Sequence, residues 1–261
     1  ASRSVEKGET AKAEMGSVKG KIVVMPLDLQ DLAAVKKFTA DFTKNYDRLD
    51  VLLNNAGIMA TPYFLTKDGI EGQIGVNHFG HFALTGQLLD LIAKTPESRV
   101  VNVSSMAHVT GKMNFENLLF ENGKEYTPMK SYGQSKLANL LFTYELQRYF
   151  EAKGIDSIAV AAHPGVAHTN LVQHIENKLI FKLFSPVLKL LAQPAARGAL
   201  PQIRAAVDLS VKGAEYYGPM GFKEMGGHPG LVKSTRASHS REDARKLWDI
   251  SEQLTGTTIL F

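Results

Sequence analysis

Leu49-Asp-Val-Leu-Leu-Asn-Asn-Ala-Gly57 joins a short apolar run to a tight polar turn, and the fold class follows from that pairing. Apolar residues in near-continuous succession mark a strand covered on both faces, as in a parallel sheet flanked by helices. The same pattern recurs along the chain. Lys21–Met25 leads into Leu27-Asp28-Leu29, Arg99–Val103 into Ser104-Ser105, and Ser157–Ala162 into His163-Pro164-Gly165. Between these runs lie helical patterns at Val5–Met15, Leu32–Asn45, Gly69–Lys94 and Ser131–Lys153. Two more helices are expected between Asn170 and Leu209, divided near Pro194, and a last one over Arg241–Leu254. Gly213–Gly230 reads as loop with a short strand at Ala214–Tyr217. Strands alternating with helices predict an α/β fold: a Rossmann-like, doubly wound parallel sheet in three α/β/α layers. Such sheets bind ligands in the crevice at the carboxyl ends of their strands, where all four polar turns fall.

The composition excludes several other classes. The chain has 261 residues, 44% hydrophobic and 21% charged, enough for a sizeable core in one domain spanning 1–261. It has no cysteine, so disulfides, thiolate nucleophiles and Cys-ligated zinc are excluded, and a reducing, cytoplasmic setting is expected. A formal charge of +4 without a basic tract gives no footprint for nucleic acid. The histidines show no metal-ligand spacing: His78 and His81 stand one helical turn apart with no supporting carboxylate in the sequence nearby. No metal is expected. His163, beside Pro164 in a strand-end turn, reads as structural.

Tyr132-Gly-Gln-Ser-Lys136 is the strongest chemical candidate. Residues four apart on a helix share a face. A tyrosine near pKa 10 serves as a base at neutral pH only if an ammonium in a partly desolvated site lowers it by about three units, about 4 kcal/mol. The same spacing occurs at Tyr63/Lys67, Tyr126/Lys130 and Tyr149/Lys153, so spacing alone does not decide. Context does. The first pair follows Pro62 in a loop, the second contains Pro128, and the fourth lies at the far end of the helix that the third opens.

Asn54-Asn55-Ala56-Gly57, Asn77 within a helix, Ser104-Ser105, Tyr132-x-x-x-Lys136 and Pro164-Gly165 together resemble the short-chain dehydrogenase/reductase family. The wording SRVVNVSSMAH, SYGQSKLANLLFTYEL and HPGV is similar to its retinol-dehydrogenase-like branch. The resemblance implies an oxidoreductase that interconverts an alcohol and a ketone or aldehyde by hydride transfer. Tyr132 would be the general acid or base, Lys136 its modulator and ribose holder, Ser105 the donor to the substrate oxygen, and Asn77 the anchor of a proton relay. The dinucleotide would lie against Asp28 and Leu29, then Asn55, Ala56 and Gly57, with Pro164, Gly165 and Thr169 at the nicotinamide. Arg3, just after the family's second strand, would meet a 2′-phosphate and favour NADP over NAD. The family usually forms dimers or tetramers, so a homo-oligomer is expected.

Residues 170–230 correspond to the substrate lid and a loop region. The apolar Asn177–Gln193 segment there implies a hydrophobic small-molecule substrate. Pro186 breaks the continuous face that an interfacial membrane helix needs, so membrane contact is not expected. The Gly-rich Gly218–Gly230 stretch lacks the phosphate-loop pattern and reads as a cover for the site. The family begins with a strand, a G-x-x-x-G-x-G turn, a helix and a second strand, none of which precedes Ala1. The resemblance therefore implies a sheet in the order 3-2-1-4-5-6-7 lacking its first two strands, and a natural protein that extends upstream. The rival reading is a catalytically silent dinucleotide-binding sensor or scaffold of the same fold.

Overall fold

The computed structural model describes residues 1–166 and 193–260. Its sheet holds five strands in the order β1 (Val51–Asn54), β2 (Ser98–Val103), β3 (Ser157–Ala162), β4 (Tyr216–Pro219) and β5 (Pro229–Leu231). The first four run parallel, and β5 returns antiparallel to β4. β2 shows why its sequence is apolar throughout. Val100 enters a core with Leu88, Phe142, Leu146 and Trp248, while its neighbour Val101 packs with Val160, Ala205 and Val211. Successive side chains of a strand point to opposite faces, so both faces of this strand are buried.

The helices among the described residues are α1 (Val5–Glu14), α2 (Leu32–Asn45), α3 (Gly72–Ile74), α4 (Gly80–Gln87), α5 (Leu89–Lys94), α6 (Pro128–Lys153), α7 (Ala195–Gly198), α8 (Leu200–Val207) and α9 (Arg241–Thr255). α6 ends where sequence expects it and begins three residues earlier, at Pro128 rather than Ser131. The Thr127 hydroxyl accepts from the Lys130 N–H at 3.2 Å, and Pro128 fills a first-turn position whose missing N–H costs nothing. Gly154 ends the helix in the left-handed conformation.

Three expectations are corrected. Lys21–Met25 is not a strand: pairing there reduces to one parallel bridge between Ser2 and Pro26, and a strand needs a ladder. The single helix expected over Gly69–Lys94 is α3, a π-helical segment at Gly75–Phe79, α4, and α5 beyond a break at Leu88. Gly213–Gly230 contains β4, shifted from Ala214–Tyr217 to Tyr216–Pro219, and the start of β5. Of the expected lid and loop region 170–230, residues 170–192 lie outside the described ones, as does Thr169.

Candidate active site

The ends of β1, β2 and β3 meet the start of α6 and the α7–α8 pair around a cavity of about 480 Å³. Tyr132 and Lys136 line it, with Asn55, Ala56, Gly57, Val103, Ser104 and Pro164. Both members of the pair are 4% exposed. The other three Tyr/Lys spacings dissolve in the fold. Lys67 is ion-paired to Asp31 and Tyr63 packs edge-on against Tyr126. Lys130 pairs with Glu125, and Tyr149 joins the aromatic core beside Trp248 while Lys153 is exposed.

Close backbone approach brings Ser105 to Tyr132. Ser105 opens a 3-10 turn, Met106–Thr110, that lies against the first turns of α6. A Cβ on Gly111 would stand 2.3 Å from the Gly133 carbonyl oxygen, so neither position has room for a side chain without separating the two segments. The hydroxyl of Ser105 accepts from the Ala107 N–H at 3.2 Å.

Lys136 is fixed at both ends. Its Nζ donates to the Val103 carbonyl at 2.9 Å, and its backbone carbonyl accepts from Ser104 Oγ at 2.8 Å. The same Val103 carbonyl accepts from Asn139 Nδ2 at 3.0 Å. Burial holds the ammonium down to about 8, so it remains mostly protonated at pH 7. Burial pushes the Tyr132 phenol up, and the Ser105 hydroxyl works against that shift. Sequence reasoning assigned the lowering to Lys136. In the free protein its Nζ lies 5.8 Å from the Tyr132 ring centre and is committed to Val103, so the tyrosine is held protonated.

Asn77 sits in the π-helical segment and ties two elements together. Its Nδ2 donates to the Ile58 carbonyl at 2.9 Å and to Ser135 Oγ at 2.9 Å, and its Oδ1 accepts from the Ile58 N–H at 2.8 Å. The turn after β1 is thereby pinned to the helix that carries Tyr132. Upstream, Glu71 caps α3 through the N–H groups of Gln73 and Ile74, and accepts from Ser131 Oγ at 2.8 Å. Burial pushes the Glu71 carboxyl up.

The expected dinucleotide residues divide. Asn55, Ala56, Gly57 and Pro164 line the cavity; Arg3, Asp28, Leu29 and Gly165 do not. Arg3 is exposed beside the Ser2–Pro26 bridge, Asp28 Oδ1 accepts from the Gln30 N–H at 3.0 Å, and Leu29 is buried in the core. Gly165 adopts a left-handed φ of 67° and donates its N–H to His163 Nδ1 at 3.2 Å. His163 Nε2 faces Glu224 at 3.0 Å, which places it as a structural latch between β3 and the loop after β4. Sequence reasoning missed Ile58 and the wall formed by Ala195, Gly198, Ala199 and Gln202, which belongs to short helices without a motif. Among the described residues no cluster of His, Cys, Asp or Glu is arranged to hold a metal. None of their helices is long and apolar enough to cross a membrane.

The family model for short chain dehydrogenases matches residues 1–179. The chain belongs to the short-chain dehydrogenase family. Among relatives of this dehydrogenase, retinol dehydrogenase 14 of Homo sapiens is 41% identical over 240 residues, covering 91% of the chain and 68% of that protein. Retinol dehydrogenase 12 of Mus musculus is 37% identical over 259 residues, 98% of the chain and 77% of that protein. A crystal structure of an uncharacterized Mycobacterium paratuberculosis protein superposes with a TM-score of 0.79 at 41% identity, covering 99% and 84% of the two chains. The Pseudomonas aeruginosa RhlG/NADP complex, at 20% identity over 81% of the chain and 78% of its own, shares the fold with a TM-score of 0.59. The dehydrogenase is therefore a Rossmann-like oxidoreductase of retinol-dehydrogenase type, acting between alcohols and carbonyl compounds.

Proposed function

We propose that the chain reduces or oxidises a hydrophobic carbonyl/alcohol pair with NADP, through Tyr132, Lys136, Ser105 and Asn77. One observation carries this reading. Of four Tyr/Lys pairs at helical spacing, one is buried as a pair and lines the strand-end cavity. In this reading the cavity takes the nicotinamide end of the dinucleotide. A Cβ at Gly57 would lie 3.1 Å from Asn77 Oδ1 and 3.4 Å from Lys136 Nζ, so glycine lets this turn pack closely against both side chains. Asn55–Gly57, Lys136 and Pro164 would hold the cofactor, and the bound cofactor supplies the hydride chemistry.

The chain's own residues handle the proton and the charge. Tyr132, kept protonated by burial, donates to the oxygen of a carbonyl undergoing reduction. Ser105 offers a hydroxyl to the same oxygen as negative charge develops there. Lys136 keeps a positive charge beside the phenolate that remains, and burial strengthens that attraction relative to water. Asn77 holds the post-β1 turn and α6 in register. The exposed Arg3 supports the choice of NADP through its charge. Ile58, Ala195 and Ala199 in the wall support a hydrophobic substrate, as do the names of the relatives. Tyr132→Phe is expected to cut turnover by orders of magnitude while leaving the thermal transition intact. Near-normal rates on the true substrate would overturn the mechanism. A tenfold or greater preference for NADH over NADPH in steady-state kinetics would overturn the cofactor assignment.

A further inference from the structure

α8 is turned inside out at one position. Its apolar Leu200, Ile203 and Val207 are 37%, 50% and 64% exposed, while Gln202 is 6% exposed. Helices normally bury the apolar side chains and leave glutamine in water. Gln202 lines the strand-end cavity, and its Oε1 is buried with no hydrogen-bond partner. Three donors that share this lining bond within the protein and not to Gln202: Lys136 Nζ to the Val103 carbonyl, Ser104 Oγ to the Lys136 carbonyl, and the Asn55 N–H to the Leu53 carbonyl. A buried carbonyl without a donor destabilises the free protein, so the position is explained when a ligand brings the donor.

We propose that Gln202 is a binding residue for the nicotinamide half of the dinucleotide, its carboxamide oxygen accepting from an uncharged amide or hydroxyl donor there. The proposal rests on the reading of this cavity as the cofactor site. A phosphate is the wrong partner, because it presents acceptors to an acceptor. The nicotinamide half is favoured because Tyr132, Lys136 and Pro164 share the same lining. In the free protein this oxygen has no exposed surface, and the broad terminal torsion of glutamine lets it turn into the cavity, the amide nitrogen taking its place, without displacing α8.

The test uses the full chain with Gln202→Leu and Gln202→Glu, reading ligand-free melting temperature and dissociation constants for NADPH, NADH and 2′,5′-ADP. Gln202→Leu is expected to melt no lower than the parent and to bind NADPH about three- to tenfold more weakly, the weight of one hydrogen bond. Its affinity for 2′,5′-ADP, which lacks the nicotinamide half, is expected to stay within twofold. Gln202→Glu keeps the acceptor and is expected to bind NADPH better than Gln202→Leu. A stably folded Gln202→Leu that binds NADPH as the parent does would overturn the proposal. Equal losses for NADPH and 2′,5′-ADP would also overturn it, as would weaker NADPH binding by Gln202→Glu than by Gln202→Leu. A parent that binds neither NADPH nor NADH would instead refute the cofactor reading on which the proposal stands.

Discussion

Replacing Lys136 by methionine should make the ligand-free protein more stable and inactive at once. The ammonium is 4% exposed and its folded pKa is about 8 against 10.5 for the free side chain. Below pH 8 both folded and unfolded chains carry the proton, and the burial penalty is complete. Between pH 8 and 10.5 the unfolded chain holds a proton that the folded chain has released, so stability rises with pH. The difference amounts to about 3 kcal/mol at pH 7. Methionine, of similar length and without charge, escapes it but forfeits the hydrogen bond to Val103, worth about 1 kcal/mol. The Val103 carbonyl keeps its second donor, Asn139 Nδ2, and is not orphaned. A net gain of about 2 kcal/mol at pH 7 raises the melting temperature of a chain this size by roughly 4–8 °C. Urea titrations of parent and variant at pH 7, 9 and 10.5, without nucleotide, measure it directly. The variant's advantage should shrink steadily toward pH 10.5. A variant less stable at pH 7, or an advantage that ignores pH, would refute the reasoning.

Gly111→Ala should destabilise by about 1–3 kcal/mol and depress kcat, because its Cβ meets the Gly133 carbonyl and wedges Ser105 away from Tyr132. Its φ of −66° is ordinary, so a normal melt combined with normal kcat would dismiss the close-packing argument. Asn77→Ala removes the acceptor and donor of three hydrogen bonds and leaves the Ile58 backbone unpaired. A loss of about 2–4 kcal/mol is expected in denaturant titration. Acid should unfold the protein steeply. Burial holds His78 at about 3 and His81 and His163 at about 4, so each gains a proton on unfolding as pH falls below 6.5. Three such groups give a slope approaching about 4 kcal/mol per pH unit near pH 5. Glu71 and Glu224, pushed up by burial, offset part of it. Equal urea midpoints at pH 7 and pH 5 would contradict this.

The parts of the fold that could be read from sequence are those where one residue type answers to one physical demand. β2 and β3 need apolar side chains on both faces, and Arg99–Val103 and Ser157–Ala162 say so directly. Tyr132 and Lys136 stand out because neither is a natural core residue, yet they open a helix whose packing side carries Leu137, Leu140, Leu141 and Tyr144. Lys21–Met25 is equally β-branched but lacks a ladder, and pairing is a property of the partner rather than of the run. The break at Leu88 and the π-helical segment leave no mark in a pattern of apolar residues that stays dense throughout Gly72–Lys94. Gln202 was invisible for the opposite reason: a glutamine on a short helix reads as solvent-facing, and only burial marks it. The Glu71–Ser131 contact spans elements 60 positions apart, beyond the reach of any local signal.

The π-helical segment at Gly75–Phe79 has a consequence for what the chain can tolerate. One surplus residue in a helix shifts everything after it by about 100° around the axis. Asn77 occupies that offset, while Phe82, Leu84 and Leu88 take their core positions from the frame that follows it. Shortening the segment by a single residue would restore a regular helix and swing those core side chains away from Phe142 and Trp248. Substitutions inside the segment disturb one contact each, whereas a change in its length disturbs the phase of a whole layer. The segment therefore behaves as a spacer whose count matters more than its spelling, and insertions or deletions there should be far less tolerated than exchanges.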